Sequence, residues 1–351
     1  MTNSTNRRSR RSPLLGVVAA MGSVGLVLSG CSAGGGDTSA EGADNGNACD
    51  LAPNYPNGPV ELIVPWAAGG GTDGVARAVG NELSAALGTQ VNVVNRTGGS
   101  GVVGHQAIAS AEPDGQTLGL ATVEIGMMHW QGLTDLTAED LTGIAQVNSD
   151  AAGLTVAADS QWETAEDLMT YIEENPGEVT ASGTGQGGIW HLALVGMLLD
   201  AGLEPDAVNF VPSEGAAPAL QELVAGGIDL STAALGENKT MIDAGRAQAL
   251  AVMGEERDQN FPDVPTLGEA AGVESSMGVW RGITGPNGLE ENVVAELECH
   301  LENIVSSDEF GEFMGNQGLG VTYRGSEEFT EFMAQDDAQK GEIMEAAGLA
   351  K

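Results

Sequence analysis

Two glycine-rich segments contain the residues best suited to hold an anion. The first reads Pro65-Trp66-Ala67-Ala68-Gly69-Gly70-Gly71-Thr72-Asp73, and the second reads Ser182-Gly183-Thr184-Gly185-Gln186-Gly187-Gly188-Ile189-Trp190-His191. Glycines lack a Cβ, so backbone N–H groups at such turns approach a guest closely. A helix that begins directly after the turn adds the positive end of its dipole. The pattern indicates a carboxylate site, although a glycine turn with a purely structural role is the alternative for each segment taken alone.

Other chemistry fits these segments poorly. Neither contains the Gly-Lys-Ser/Thr of a P-loop, and no acidic residue is placed to hold a ribose after the second segment. Ser182 and His191 resemble a nucleophile and a base, but the sequence has no Gly-x-Ser-x-Gly elbow and no evident Asp to orient the histidine. We therefore expect His191 to form hydrogen bonds at a helix start. The four histidines are scattered without a second ligand at metal spacing, so no metal and no cofactor is expected.

The elements that must position these segments follow a strand–helix alternation. Predicted strands are Val60–Val64, Val91–Val94, Thr117–Ala121, Gly153–Ala157, Val179–Ser182, Val208–Val211, Ile228–Ser231, Ala249–Val252, Val279–Ile283 and a short one near Gly320–Tyr323. Predicted helices are Asp73–Leu87, Ala165–Glu174, Ile189–Ala201, Ala216–Ala225, Lys239–Ala244, Leu267–Ala271, Glu290–Ser306, Asp308–Asn316 and Glu327–Ala347, with Thr72 or Asp73 capping the first. This alternation predicts an α/β fold with mostly parallel sheets flanked by helices.

The N-terminal residues have the layout of a lipoprotein export signal. Four arginines precede an apolar run from Leu14 to Leu28, and that run ends in Leu28-Ser29-Gly30-Cys31. We predict a signal peptide over residues 1–30 and lipidation of Cys31, with a chance Cys after an ordinary signal peptide as the alternative. The following small and polar residues predict a flexible tether over residues 31–52. Export by the general secretory route or by the twin-arginine route stays open.

Composition limits the size, the partners and the redox state. The 351 residues carry a net charge of −37, and such a surface repels nucleic acid and anionic lipid. The length after removal of the signal peptide suits two domains. Cys49 and Cys299 remain once Cys31 is lipidated, and an even pair outside the cell predicts a disulfide, with free buried thiols as the alternative.

The chain resembles a known family from about Tyr55 to its C-terminus: the substrate-binding proteins of tripartite tricarboxylate transporters, also called Bug receptors. Similar motifs occur in family order at Tyr55-Pro56, Val64–Asp73, Val94–Gly101, Pro113–Leu118, Ala181–Gly185, His191–Ala193, Ala217–Leu220, Ala249–Val252 and Pro262–Thr266. Departures are Ala233-Ala234, where many members have Asp-Asn, Trp190 before the histidine, and Trp280-Arg281-Gly282-Ile283. These departures leave the identity of the ligand open.

The resemblance implies a two-domain type II periplasmic-binding fold with a ligand cleft between the lobes. Lobe 1 is expected over residues 53–151 and 283–351, and lobe 2 over residues 152–282. One ligand carboxylate is expected at Ala67, Ala68, Gly69 and Gly70, and Ser182, Thr184 and Gly185 complete the site from the other lobe. The further expected contacts are Trp66, Thr72, Asp73, Ser100, His191 and Arg281. Arg281 is either the partner of a second carboxylate or a solvated or structurally paired arginine.

The resemblance also implies a function outside the cytoplasm. We expect a monomeric receptor, anchored by lipid alone to the outer face of the cell membrane, and not an enzyme. Its expected ligand is a small mono-, di- or tricarboxylate, and its expected partners are the large and small integral-membrane subunits of the transporter. A sensor of the same fold that feeds a signalling partner is the alternative.

Overall fold

A computed structural model describes residues 49–351 of the chain. The predicted signal peptide, Cys31 and most of the predicted tether lie outside the described residues. The last tether residues are packed against the folded part, because the amides of Leu51 and Ala52 donate to Glu296 Oε2 at 3.0 and 2.6 Å. The last two residues of the predicted tether therefore belong to the folded part. None of the helices within residues 49–351 combines the length and the apolar character that a membrane span needs.

Nine strands and ten α-helices lie within the described residues. The strands are β1 Val60–Val64, β2 Val91–Asn95, β3 Thr117–Thr122, β4 Leu141–Ala157, β5 Val179–Ser182, β6 Val208–Phe210, β7 Leu230–Ser231, β8 Ala247–Met253 and β9 Gly278–Pro286. The helices are α1 Gly71–Leu87, α2 Val102–Ala109, α3 Ala165–Glu174, α4 Ile189–Asp200, α5 Ala216–Ala225, α6 Leu235–Asp243, α7 Leu267–Ala271, α8 Glu291–Val305, α9 Asp308–Gln317 and α10 Ser326–Ala346. Short 3₁₀ turns lie at Gly99–Gly101, Val123–Gly126 and Ala138–Asp140.

The strands form a mixed sheet in the order β2-β1-β3-β9-β4-β7-β5-β6, with β8 paired to β4. The predicted parallel pairs occur on both sides, where β1 pairs with β2 and β3, and β5 pairs with β6 and β7. The pairs that involve β4 or β9 are antiparallel. The expectation of mostly parallel sheets is therefore wrong in this respect, because these two strands run through the middle of the sheet against their neighbours.

The 17-residue strand β4 connects two halves of the sheet. Its residues 141–151 pair with β9, and its residues 152–157 pair with β8. We call β1, β2, β3, β9 and the first part of β4 the first half-sheet, and the remaining strands the second half-sheet. The predicted lobe boundary at residues 151–152 falls where β4 changes partner, and the division into two lobes stays a prediction.

The predicted strand near residues 320–323 is absent from the described fold. One isolated bridge, from Gln146 to Arg324, takes its place. The Gly320 amide donates to the Asp150 side chain at 2.6 Å instead of to a neighbouring strand. Side-chain acceptors therefore replace the regular ladder that a strand requires.

Two large apolar clusters form the core of the fold. One joins Leu62, Val79 and Leu297 on the side of the first half-sheet. The other joins Leu154 and Leu192 on the side of the second half-sheet and continues to Trp280 on β9. Outside these clusters, Cys49 is bonded to Cys299 on α8, with 5.5 Å between the Cα atoms, so the first described residue is linked covalently to the first half.

Candidate functional site

The first glycine-rich segment forms a loop that ends as the N-terminus of α1. The helix begins at Gly71 with Gly70 as its extended N-cap, so the predicted cap at Thr72 or Asp73 is wrong. Gly70 makes no side-chain cap, and the loop residues Ala67, Ala68 and Gly69 are exposed. The helix start therefore lacks a side-chain cap, and binding of an anion at its backbone amides stays a prediction.

Asp73 holds this loop in shape through three hydrogen-bond partners. Its carboxylate accepts the Gly69 amide at 2.9 Å, the Arg77 guanidinium at 2.9 Å and the Asn95 amide at 3.0 Å. Burial raises its pKa, but the hydrogen bonds from Arg77, Gly69 and Asn95 outweigh burial and leave the pKa below its usual range. The carboxylate is therefore ionised and fully used within the chain.

Trp66 belongs to a hydrogen-bond chain beside the loop. Its indole Nε1 donates to Thr122 Oγ1 at 3.1 Å, and that hydroxyl donates to Glu124 Oε2 at 2.5 Å. Thr122 also donates its backbone amide to His105 Nε2 at 3.1 Å. His105 is fully buried, and burial lowers its pKa to about 4, so its ring is neutral at pH 7.

The second glycine-rich segment follows β5 and leads into α4. Thr184 lines the cavity described below, whereas Ser182, Gly185 and His191 lie behind that surface. His191 Nδ1 accepts the Gly187 amide at 3.0 Å, and its ring stacks on Phe210 with 4.2 Å between centroids. Burial lowers the pKa of His191 to about 4. The histidine thus shapes the turn as a neutral hydrogen-bonding residue, which is the role that the sequence favours over catalysis.

Ser100 approaches the second glycine-rich segment. A Cβ added to Gly185 would lie 3.3 Å from Ser100 Oγ, so the Ser100 side chain lies close to the backbone of the second segment. Ser100 itself has a left-handed φ of 55° and is outside the cavity wall. Its predicted ligand contact stays a prediction.

A cavity of about 990 Å³ lies between the loops of the two half-sheets. Of the predicted residues, Trp66, Ala67, Ala68, Gly69, Gly70, Thr72, Asp73, Thr184 and Arg281 line it. The second half-sheet adds Trp190, residues 214–218 at the start of α5, and Glu237 and Lys239 of α6. This volume suits a small organic molecule together with ordered water.

Arg281 lies in the wall of this cavity with 1% of its surface exposed. Its Nη1 atom contacts Asp150 Oδ2 at 2.7 Å and Asn148 Oδ1 at 2.5 Å. Its Nε donates to Thr72 Oγ1 at 2.9 Å, and Nη2 donates to Glu237 Oε1 at 3.0 Å. Of the two alternatives drawn from sequence, the structure has the paired arginine, since two carboxylates of the chain already neutralise its charge.

Two buried glutamates face the same cavity, and the sequence pattern does not single them out. Burial raises the pKa of Glu237 to about 7, and the nearby Arg281 opposes that rise. Burial likewise raises the pKa of Glu124, which the Thr122 hydroxyl opposes. Nothing in the local sequence around either residue distinguishes it from the many surface acids of this chain. Groups of His, Cys, Asp and Glu suited to hold a metal do not occur in residues 49–351.

A family model described as the tripartite tricarboxylate transporter family receptor matches residues 75–349. The chain belongs to this receptor family. The match begins just after the first glycine-rich loop and covers the rest of the cavity wall. Because the members are receptors and the similar structures are binding proteins, the chain is a solute-binding receptor and not an enzyme, as the sequence predicts.

Named relatives place the chain within the family. It is 29% identical to protein BugT of Bordetella pertussis, over 76% of this chain and 82% of BugT. It is 33% identical to a TctC solute-binding protein from Polaromonas solved without ligand, with a TM-score of 0.66 over 83% of this chain and 99% of that one. An R. palustris protein solved with adipate is 25% identical, with a TM-score of 0.79 over 84% and 99% of the two chains. The periplasmic-binding-protein fold predicted from the sequence is thereby confirmed.

Proposed function

We propose that this receptor captures a small organic carboxylate in the cavity between the half-sheets, outside the cytoplasm. The observation that carries the proposal is the open N-terminus of α1: Gly70 caps the helix without a side chain, and its amides border a cavity of about 990 Å³. Backbone dipoles in a water-poor cleft attract an anion without a formal counter-charge. The adipate in the R. palustris relative supports a carboxylate as ligand.

Delivery to the membrane subunits of a tripartite transporter follows from family membership. A monomeric receptor with two lobes over residues 53–151 with 283–351 and 152–282 would close over its guest and present it to the large and small permease subunits. A sensor of the same fold is the second candidate. A neighbouring gene for a multi-span permease favours the receptor, and a neighbouring two-component kinase favours the sensor.

Attachment to the outer face of the membrane by a lipid on Cys31 is part of the same proposal. Cys31→Ala is expected to move the protein from the membrane fraction into the soluble extracytoplasmic fraction. Retention of the variant in the membrane fraction would contradict the lipobox interpretation.

Thermal-shift screening against mono-, di- and tricarboxylates tests the binding function. A ligand at 100 times its Kd stabilises the folded state by about 2.7 kcal/mol, because it binds the folded protein alone. We expect at least one carboxylate to raise the melting temperature in a concentration-dependent manner. Stabilisation by nucleotides or sugars alone would overturn the proposal.

A further inference from the structure

Glu237 presents an unsatisfied acceptor at the cavity wall. Its side chain is 9% exposed, and Oε1 accepts from Arg281 at 3.0 Å. Its other oxygen, Oε2, is buried and accepts no hydrogen bond of normal geometry within the described residues. The Trp190 side chain lies close enough to the carboxylate to lower the pKa of Glu237. A buried carboxylate oxygen without a donor is costly, so a donor on a bound guest would relieve that cost.

The position of Glu237 relates this acceptor to the predicted carboxylate site. A Cβ added to Gly71 would lie 2.9 Å from Glu237 Oε1, so the glutamate approaches the first residue of α1 directly. The helix start that would hold a ligand carboxylate and the unsatisfied acceptor are therefore neighbours. A ligand that binds at both the helix start and Glu237 needs a hydrogen-bond donor close to its carboxylate.

The charges around this corner favour a cationic donor. Asp150, Glu237 and Glu124 are buried near a single guanidinium, that of Arg281. Lys239 also lines the cavity, but it pairs with Asp243 at 2.8 Å. Carboxylates thus outnumber cations in this wall, and a second ligand carboxylate placed here would add repulsion where an ammonium group adds attraction.

We infer that Glu237 recognises a protonated amine on the ligand, and that the preferred guest is an amino-substituted carboxylate. The inference rests on the proposed function, since it takes the ligand carboxylate to be held at the start of α1. In an α-amino acid the ammonium group is one carbon away from the carboxylate, which matches the closeness of Gly71 and Glu237. Selectivity then comes from Glu237, and the helix start supplies the attraction common to all carboxylates.

Two matched ligand series test the inference by titration calorimetry at pH 7.5. The first series consists of the four-carbon acids succinate, malate and aspartate, which carry hydrogen, hydroxyl or ammonium at carbon 2. The second series consists of the five-carbon acids glutarate, 2-hydroxyglutarate and glutamate, which differ in the same way. A hydrogen bond between charged groups predicts that the amino acid of at least one series binds roughly 10- to 100-fold tighter than its unsubstituted partner.

The variant Glu237→Gln separates the charge from the shape of the side chain. We expect it to bring the affinity ratio of amino acid to unsubstituted diacid close to 1. Glu173→Gln on α3 removes an equal charge from an exposed position outside the cavity and is expected to leave the ratio unchanged. The series on the unmodified protein decides the question even if Glu237→Gln does not fold.

Several outcomes overturn the inference while the proposed function stands. These are equal or tighter binding of the unsubstituted diacids, an unchanged ratio in Glu237→Gln, and binding of other carboxylates but of none of these six acids. Diacid binding that tightens as the pH falls, with no amino-acid preference, would show a protonated Glu237 donating to a ligand carboxylate. Absence of binding by every carboxylate in the thermal-shift panel overturns the proposed function itself.

Discussion

Arg281 and Asp150 form an ion pair of 2.7 Å at the junction of the two half-sheets, and both side chains are at most 3% exposed. Arg281 lies on β9, and Asp150 lies on the part of β4 that precedes its change of partner. The same guanidinium extends to Thr72 on α1 and to Glu237 on α6. One side chain thus connects the start of α1, the central strands and the opposite wall of the cavity.

Replacement of Arg281 is expected to destabilise the fold strongly. Arg281→Met leaves the carboxylates of Asp150 and Glu237 buried without a counter-charge, and removal of one partner from a buried pair typically costs about 3–5 kcal/mol. Urea unfolding followed by circular dichroism measures this change as a fall in the transition midpoint.

Arg257→Met is the matched control for that substitution. Arg257 pairs with Glu269 at 2.7 Å, but the two side chains are 44% and 49% exposed. Exposed pairs contribute less than about 1 kcal/mol, so the control should unfold close to the unmodified protein. Equal losses in both variants would contradict a structural role specific to Arg281.

A side chain at Gly70 is expected to remove ligand binding and to leave the fold intact. Its φ of −87° suits any residue, and an added Cβ would have the Ala67 oxygen as its nearest neighbour, at 3.8 Å. Gly70→Val therefore fits the chain but places its methyl groups where the backbone meets the guest. Affinity should fall by roughly 100-fold or more, equivalent to about 3 kcal/mol.

Titration calorimetry with the stabilising carboxylate measures that loss. Gly311→Val is the control, because Gly311 lies within α9 with open space around it and outside the cavity wall. The melting temperatures of both variants without ligand should stay within about 4 °C of the parent. Full affinity in Gly70→Val would show that the first loop is a scaffold only.

Local sequence patterns predict the first loop well. Glycines between an apolar strand and a helical run leave few alternatives to a strand–turn–helix unit, and β1 and the end of α1 lie where the pattern places them. The starting residue of α1 was missed because Gly70 caps it through backbone conformation, without the Ser, Thr or Asp side chain that sequence rules seek.

Contacts between distant segments explain what the sequence did not predict. The first part of β4 carries Gln146, Asn148 and Asp150 and lies outside the predicted strand Gly153–Ala157. Polar residues are rare in buried strands. These three residues are buried because Arg281 and Arg324 supply their partners from more than a hundred residues away. The positions of Glu124 and Glu237 in the cavity wall also depend on contacts between distant segments. The sequence alone therefore does not distinguish them from acidic residues on the surface.

Acid is expected to weaken the fold through His105. Its folded-state pKa of about 4 lies below the ordinary 6.5, so its stabilising effect is present above pH 6.5 and is lost as the pH falls towards 4. Each pH unit in that window removes about 1.4 kcal/mol per histidine. Glu237 acts in the opposite direction, because its raised pKa of about 7 adds stability below pH 4.5 that is lost as the pH rises through 7.

Urea unfolding at pH 5, 6 and 7 separates these opposing effects when the unmodified protein is compared with His105→Gln. The variant loses the ring that accepts the Thr122 amide and donates to the Gly101 oxygen, so its stability at pH 7 should fall. Its stability should nevertheless decline less steeply between pH 6.5 and 5. Parallel pH profiles for both proteins would exclude His105 as the source of acid sensitivity.

Removal of the Cys49–Cys299 bond is expected to loosen the segment that begins at Cys49 and to lower stability. The bond closes a loop of 250 residues, and in the chain-entropy model so long a loop corresponds to roughly 5 kcal/mol of stabilisation. The amides of Leu51 and Ala52 on Glu296 still hold the segment after reduction, so part of the native packing should persist.

The double variant Cys49→Ser/Cys299→Ser, which cannot form the bond, should melt at a lower temperature than the oxidised parent. Addition of dithiothreitol should lower the melting temperature of the parent and leave that of the variant unchanged. A parent whose melting temperature is insensitive to the reductant, together with two thiols that react with a maleimide in the folded protein, would show that the pair is reduced in solution.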